Sequence, residues 1–382
     1  MNVILVDTDW STFLPLTYTR PVSKLPLGAF TIAEKWERYF DLKVSYLTQS
    51  YLNGKFPTVL ADENIYINSS VIPNSKVAEE IKALTPGKGI DFQGSWIAFC
   101  GSSIDEKDSV NFSEALSKTT FLRHWWNLFY HAETYIKSDF EDFFKGYPKE
   151  VSDTNLIIGD PLGLKVHPTA VVEGAILNTI NGPIIIEEGA EVMEGSVLRG
   201  PIVVKPKAVI KMGAKIYGAT VIGEGCKVGG EIKNSVFMSY ANKAHDGYIG
   251  NAVVGAWVNM GAGTSLSNMK NTLGPIKVWS IAKEEYIPTH KQFLGGCIGD
   301  YSKFGIQTKL TTGSVVGIFA NVLEEGFPPK FIPNFYWSNS KWYGTEKMEE
   351  MNERMHLLTD RPVSEHDAEI FRHLYRELNI LA

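Results

Sequence analysis

Residues 202–229 read IVVKPKAVIKMGAKIYGATVIGEGCKVG, and within them an aliphatic residue returns at every sixth position: Val204, Ile210, Ile216, Ile222 and Val228. Ile186 and Val192 keep the same step before this stretch; Val254 and Met260, then Ile298, Phe304, Leu310 and Val316, keep it after. A period of six matches neither the 3.6 of a helix nor the simple alternation of a strand. It is the repeat of a triangular parallel β-helix, in which each hexad supplies one short strand and one corner. Compact residues four places after the aliphatic, among them Ala190, Ser196, Ala208, Ala214, Thr220 and Cys226, suit tight corners. Three sides make a coil of about 18 residues, and coils should stack at the interstrand spacing of about 4.8 Å. Glycine follows the same boundaries, because 22 of the chain's 34 glycines fall between Gly182 and Gly317.

Working outward, the spacing predicts a β-helical domain over residues 151–325, preceded by an α/β domain over 1–150 and followed by a helical extension over 326–382. In the first part MNVILVD, KVSYLTQ (43–49) and SWIAFC (95–100) read as strands, and VAEEIKAL (77–84) and the aromatic-rich run 121–144 as helices. Thr31 and Glu34 form a capping-box pattern ahead of Ile32, Trp36 and Phe40 on one helical face. Alternating elements of this kind predict a parallel sheet covered on both faces. Residues 146–164, with Pro148, Gly159, Pro161 and Gly163, read as the linker. Beyond Gly326 the hexads stop, and two helices are expected, the last capped by Ser364 with Ile370, Leu374 and Leu378 in register.

Composition narrows the function classes. A formal charge of −6 with scattered Lys and Arg offers no basic stripe for a nucleic acid backbone. No window reaches 18 uncharged apolar residues, so no membrane span is expected. The N-terminus enters a strand-like run without a basic leader, which predicts a cytoplasmic protein. Cys100, Cys226 and Cys297 are far apart and lack a CxxC, and no two of His167, His245 and His290 lie at metal-ligand spacing. No metal site is expected from these residues.

His245 stands where the hexad register slips, Ile249 to Val254 being five residues rather than six, and polar Tyr248, Asn259 and Asn268 follow it. A regular coil has no need of them. The run KAHDGYIGNAVVGAWVNMGAGTSLSN (243–268), with its HxxYxGxxxxGxxVNxGAGTxxxN pattern, resembles the active-site stretch of the bifunctional N-acetylglucosamine-1-phosphate uridyltransferase / glucosamine-1-phosphate acetyltransferase family, in a divergent branch. The similarity is strongest over 165–320. It implies a left-handed β-helix, a homotrimer with acyl-donor sites between subunits, acetyl-CoA as cofactor and an amino-sugar phosphate as substrate. By this resemblance His245 is the general base, with Glu231 an acid near it; Tyr248 and Asn259 shape the sugar site and Asn268 holds the sugar or acetyl end. Ala262, flanked by Gly261 and Gly263, meets acetyl-CoA, and Lys233 falls on a phosphate-binding lysine. The family's upstream arginine has no clean counterpart, which leaves Arg199, Lys211 and Lys215 as candidates.

The chemistry asks for such a set. An amino sugar is largely an ammonium near neutral pH, and a base of pKa near 6.5 can take its proton, an effect worth about 10²–10⁴ in rate. The tetrahedral oxyanion needs a donor, for which backbone N–H groups over Gly261–Gly263 are candidates.

STFLPLTYTRPVSKLPLGAFTIAEKW (11–36) is similar to the opening of sugar nucleotidyltransferases, but VDTDWSTF replaces the glycine-rich loop and Val22 stands at the signature lysine. Arg20 and Lys24 are the residues left to contact a nucleotide, with Mg²⁺ required only if this domain is active. Two rivals to acetyl transfer therefore stay open: a nucleotidyltransferase with a structural β-helix, and a non-catalytic sugar-nucleotide-binding scaffold. Segment 270–296, with Asn271, Trp279 and Tyr286, departs from the commoner pattern where substrate contact is expected.

Overall fold

The computed structural model describes residues 2–144, 151–338, 341–342, 344–357 and 363–379. Part of the stretch read as linker, 145–150, lies outside them.

In the solenoid the hexads become three sheets that the chain visits in rotation. The first sheet runs from Leu164–Val166 through Ile184–Ile186 and Ile202–Val204 to Phe331–Ile332. The second runs from Val171–Val172 through Val209–Ile210 and Lys227–Val228 to Lys341–Trp342. The third runs from Leu156–Ile158 through Lys215–Tyr217 and Glu231–Lys233 to Lys309–Leu310. Coil-to-coil pairing is parallel, Val204 facing Ile222, Ile210 facing Val228 and Ile216 facing Ile232. The six-residue aliphatics point inward and form one buried column per sheet. The first coil begins at Leu156, inside the stretch read as linker, and strands at 331–332 and 336–337 add a further coil beyond Gly326. In both places the pairing continues although the six-residue spacing does not.

The outward residues distinguish the sheets. In the first sheet Ile185, Val203, Val221, Val236, Val253, Cys297 and Val315 are all at most 2% exposed, because the N-terminal domain and, at Val315, the strand Lys277–Ser280 pack on that face. Strands buried on both sides read as continuous apolar runs, here III and IVV. Third-sheet strands alternate instead, as in Val197–Arg199 with only Leu198 buried.

The first two sheets meet at a corner whose left-handed residue is aromatic in five successive coils: Tyr240, Trp257, Tyr301, Phe319 and Phe335. Their rings stack at centroid distances of 4.5, 6.2, 4.8 and 5.3 Å. Phe371 of the C-terminal helix Glu365–Asn379 packs edge-on against Tyr301 and Phe319. As expected, Ser364 caps this helix, accepting from Asp367 N at 3.1 Å.

The main sheet of the N-terminal domain has six strands in the order 45–47, 2–6, 64–68, 95–101, 88–92, 111–114. The sheet is mixed rather than parallel as expected. Lys88–Phe92 and Ser95–Gly101 form a hairpin across Gln93 and Gly94, both at positive φ (53° and 76°), the geometry of a primed hairpin turn. The capping box of Thr31 and Glu34 is formed, and Ile32, Trp36 and Phe40 are buried. Run 121–144 is helical only from Asn127, whose Oδ1 accepts from Arg123 N and His124 N and so holds the preceding residues in a turn.

Candidate active site

His245 stands on the corner between the second and third sheets, in the four residues that join Asn242–Lys243 to Tyr248–Gly250. The residue is exposed, and its ring makes no hydrogen bond among the described residues. The third sheet beside it carries most of the other candidates on its outer face. Cα register places Arg199, Tyr217, Lys233 and Gly250 in one column and Lys215, Glu231 and Tyr248 in the next. Three cations on consecutive coils thus share a face with one carboxylate and two phenols. Lys211 lies on the same edge as His245, two corners earlier.

Glu231 is not held by His245: its Oε1 accepts from Tyr217 Oη at 2.6 Å. Burial first, and this carboxylate second, push the Tyr217 phenol well above its ordinary range. Tyr248 is pushed up to about 12 by burial and by the same carboxylate, so it stays a hydrogen-bond donor at neutral pH. Lys233 Nζ lies 5.7 Å from the Tyr217 ring and 6.0 Å from that of Phe293, so segment 270–296 does reach this face. The segment's hairpin, Lys277–Ser280 with Glu285–Pro288, otherwise packs on the solenoid through Ile276 and Val278 and on the N-terminal domain, where Lys291 Nζ lies 4.6 Å from the Tyr130 ring.

Asn259 belongs to the second sheet, where it accepts from Asn242 Nδ2 at 2.7 Å. Asn268, where the segment leaves the coil, gives its Nδ2 to Asn251 Oδ1 at 2.7 Å. These two residues flank the His245 corner from different sides. Gly261 and Gly263 prove unsuited to an oxyanion: Gly261 N–H donates to Phe304 O and Gly263 N–H to Asp246 O, both spent on coil stacking. A Cβ on Gly261 would stand 2.6 Å from Ile306 N, so tight stacking accounts for that glycine. Ala262 keeps an N–H without a partner among the described residues.

Arg20 and Lys24 line a cleft of about 430 Å³ between the N-terminal domain, the solenoid and the C-terminal helix, with Lys55, Lys205, Tyr240 and Trp257. Arg20 is already engaged, since its guanidinium pairs with Asp300, which also accepts from Thr19 and, at 2.8 Å, from Ala256 N. Lys24 Nζ lies 5.3 Å from the Tyr46 ring. At the end of the first strand, where ligands of open α/β sheets gather, stands Asp7. It accepts from Val22 N and Thr48 Oγ1, and burial pushes its pKa up to about 6. The sequence reading passed over Asp7 as part of the missing glycine loop. It also passed over Lys243, which sits among the aliphatics of the second sheet.

These features define a two-part molecule, a mixed α/β sheet docked on a parallel β-solenoid with a polar edge. Residues 3–147 match the sugar nucleotidyl transferase family. The chain is 37% identical over 145 residues to a bifunctional sugar-1-phosphate nucleotidylyltransferase/acetyltransferase of Sulfurisphaera tokodaii, covering 37% of this chain and 36% of that protein. It is 39% identical over 155 residues to the bifunctional protein GlmU of Methanococcus aeolicus (40% and 35% covered) and 34% identical over 174 residues to that of Methanocaldococcus jannaschii (45% and 41%). The matched stretches thus span about two fifths or less of these relatives' lengths. Among the described residues no helix is long and apolar enough to cross a membrane.

Proposed function

We propose that the chain transfers the acetyl group of acetyl-CoA to the amino group of an amino-sugar phosphate, with His245 as general base. One observation carries the reading: Arg199, Lys215 and Lys233 share the third sheet's outer face with Glu231 and Tyr248, beside a corner that presents an exposed imidazole. The cations suit a phosphate, and the phenol of Tyr248 and the Glu231 carboxylate suit sugar hydroxyls. His245 takes the proton that the amine must shed, a role worth about 10²–10⁴ in rate. Bound acetyl-CoA supplies the thioester carbonyl, with the Ala262 N–H, on the corner one coil further on, as a donor to it. The Sulfurisphaera tokodaii relative, a bifunctional sugar-1-phosphate nucleotidylyltransferase/acetyltransferase, supports this assignment.

The reading includes left-handed winding and a homotrimer. The solenoid's apolar first face is occupied by its own N-terminal domain, so a trimer contact falls elsewhere. Met212, Ile306 and Leu323, exposed at 69, 76 and 53%, lie along the edge that carries His245 and are the natural contact for a second copy. A closed ring satisfies such a contact without open growth.

Nucleotidyl transfer is the second reading, favoured by the match over residues 3–147. Against it, a carboxylate, Asp7, ends the first strand, and Arg20 is committed to Asp300. Purified full-length chain incubated with acetyl-CoA and a panel of hexosamine phosphates should release free thiol only when an amino sugar phosphate is present. Pyrophosphate release from nucleoside triphosphates with the same hexosamine phosphates and Mg²⁺, without thiol release, would select the second reading, and binding without turnover in either assay would select a scaffold.

A further inference from the structure

The inward column of the second sheet runs Val172, Val192, Ile210, Val228, Lys243, Met260, Phe304 and Val322. Seven members are apolar. Lys243 is the exception, and it is only 1% exposed. An ammonium in an aliphatic column is costly, and burial pushes its pKa down to about 8 against the pull of Asp246. A residue that breaks the local rule of its fold marks function more often than accident.

The ammonium has three N–H donors, and three carbonyl oxygens receive them: Gly229 at 3.3 Å, Asp246 at 3.2 Å, and His245 itself. Two of these belong to the corner that carries the imidazole, and the third to the corner one coil earlier. That earlier corner has two residues, Gly229 and Gly230, between its strands, whereas its neighbours, 211–214 and 244–247, have four. A Cβ at Gly229 would lie 2.2 Å from Ala244 O, so the His245 corner rests directly on the backbone of the short one. Carbonyl oxygens brought together in this way repel unless a cation lies between them. Since the ring has no hydrogen-bonding partner of its own among the described residues, the backbone of the corner is what places it.

We propose that Lys243 is the positioning residue of this site: its buried ammonium ties the His245 corner to the coil beneath and sets where the imidazole stands. The proposal rests on His245 being the base. Its test is Lys243→Met, which restores the aliphatic column. The account expects a melting temperature no lower than wild type, kcat for acetyl transfer down roughly 10- to 100-fold through misplacement of the base, and KM for acetyl-CoA unchanged. Amide exchange over 244–247 should quicken and the His245 imidazole resonances should move, with the other corners unaffected. Wild-type kcat with unchanged exchange and resonances would overturn it. His245→Ala is measured alongside: if that variant keeps full activity, the base reading fails, and the exchange and imidazole data decide the positioning claim alone. If Lys243→Met does not fold, Lys243→Gln, which keeps N–H donors without charge, is judged by the same exchange and resonance criteria.

Discussion

The first and third sheets of the solenoid are built from the same inward residues and differ in what they turn outward. In the first, Ile185, Val203 and Val221 are sealed under the N-terminal domain. In the third, Arg199, Lys215 and Lys233 stand on the open face. The inward residues are about the fold, and the outward ones are about what each face meets. An apolar outward column calls for a covering domain, and a charged one for a polar ligand.

Four substitutions would break or sharpen this contrast. Asp300→Ala should cost most, about 3–5 kcal/mol of stability in chemical denaturation, because it strands the Arg20 guanidinium in the domain interface. Next, Ile185→Ala should cost about 2–5 kcal/mol, since that side chain is fully buried between domain and solenoid. Its counterpart on the third sheet, Val197→Ala, 36% exposed, should change stability by less than about 0.5 kcal/mol. Equal costs at the two positions would erase the distinction between the faces. The smallest effect is expected from Lys215→Ala, which should leave stability within about 0.5 kcal/mol and raise KM for the sugar phosphate roughly tenfold, the worth of about one charge-assisted contact. An unchanged KM would remove Lys215 from the phosphate site.

The solenoid was legible because a six-residue period reports the inward columns directly, from Ile186 to Val316. Its ends were not, since Leu156 and Ile332 join by pairing rather than by spacing. The His245 corner was legible as a motif, and Arg199, Lys215 and Lys233 as cations one coil apart. What spacing cannot carry is hydrogen-bond choice: Glu231 goes to Tyr217, and the N–H groups of Gly261 and Gly263 go to neighbouring coils. Lys243 escaped notice because a lysine reads as surface until the register shows it in the core. In the N-terminal domain the capping box was readable locally, whereas the hairpin that makes the sheet mixed depended on the left-handed pair Gln93 and Gly94.

The central claim, that the exposed imidazole on the solenoid edge does the chemistry, is tested most directly by measuring kcat and melting temperature on one preparation of His245→Ala. The account predicts acetyl transfer lower by roughly 10²–10⁴, about 3–5 kcal/mol of transition-state stabilisation, with an unshifted melting temperature and unchanged acetyl-CoA binding. A destabilised protein that turns over at the wild-type rate per folded molecule would contradict it.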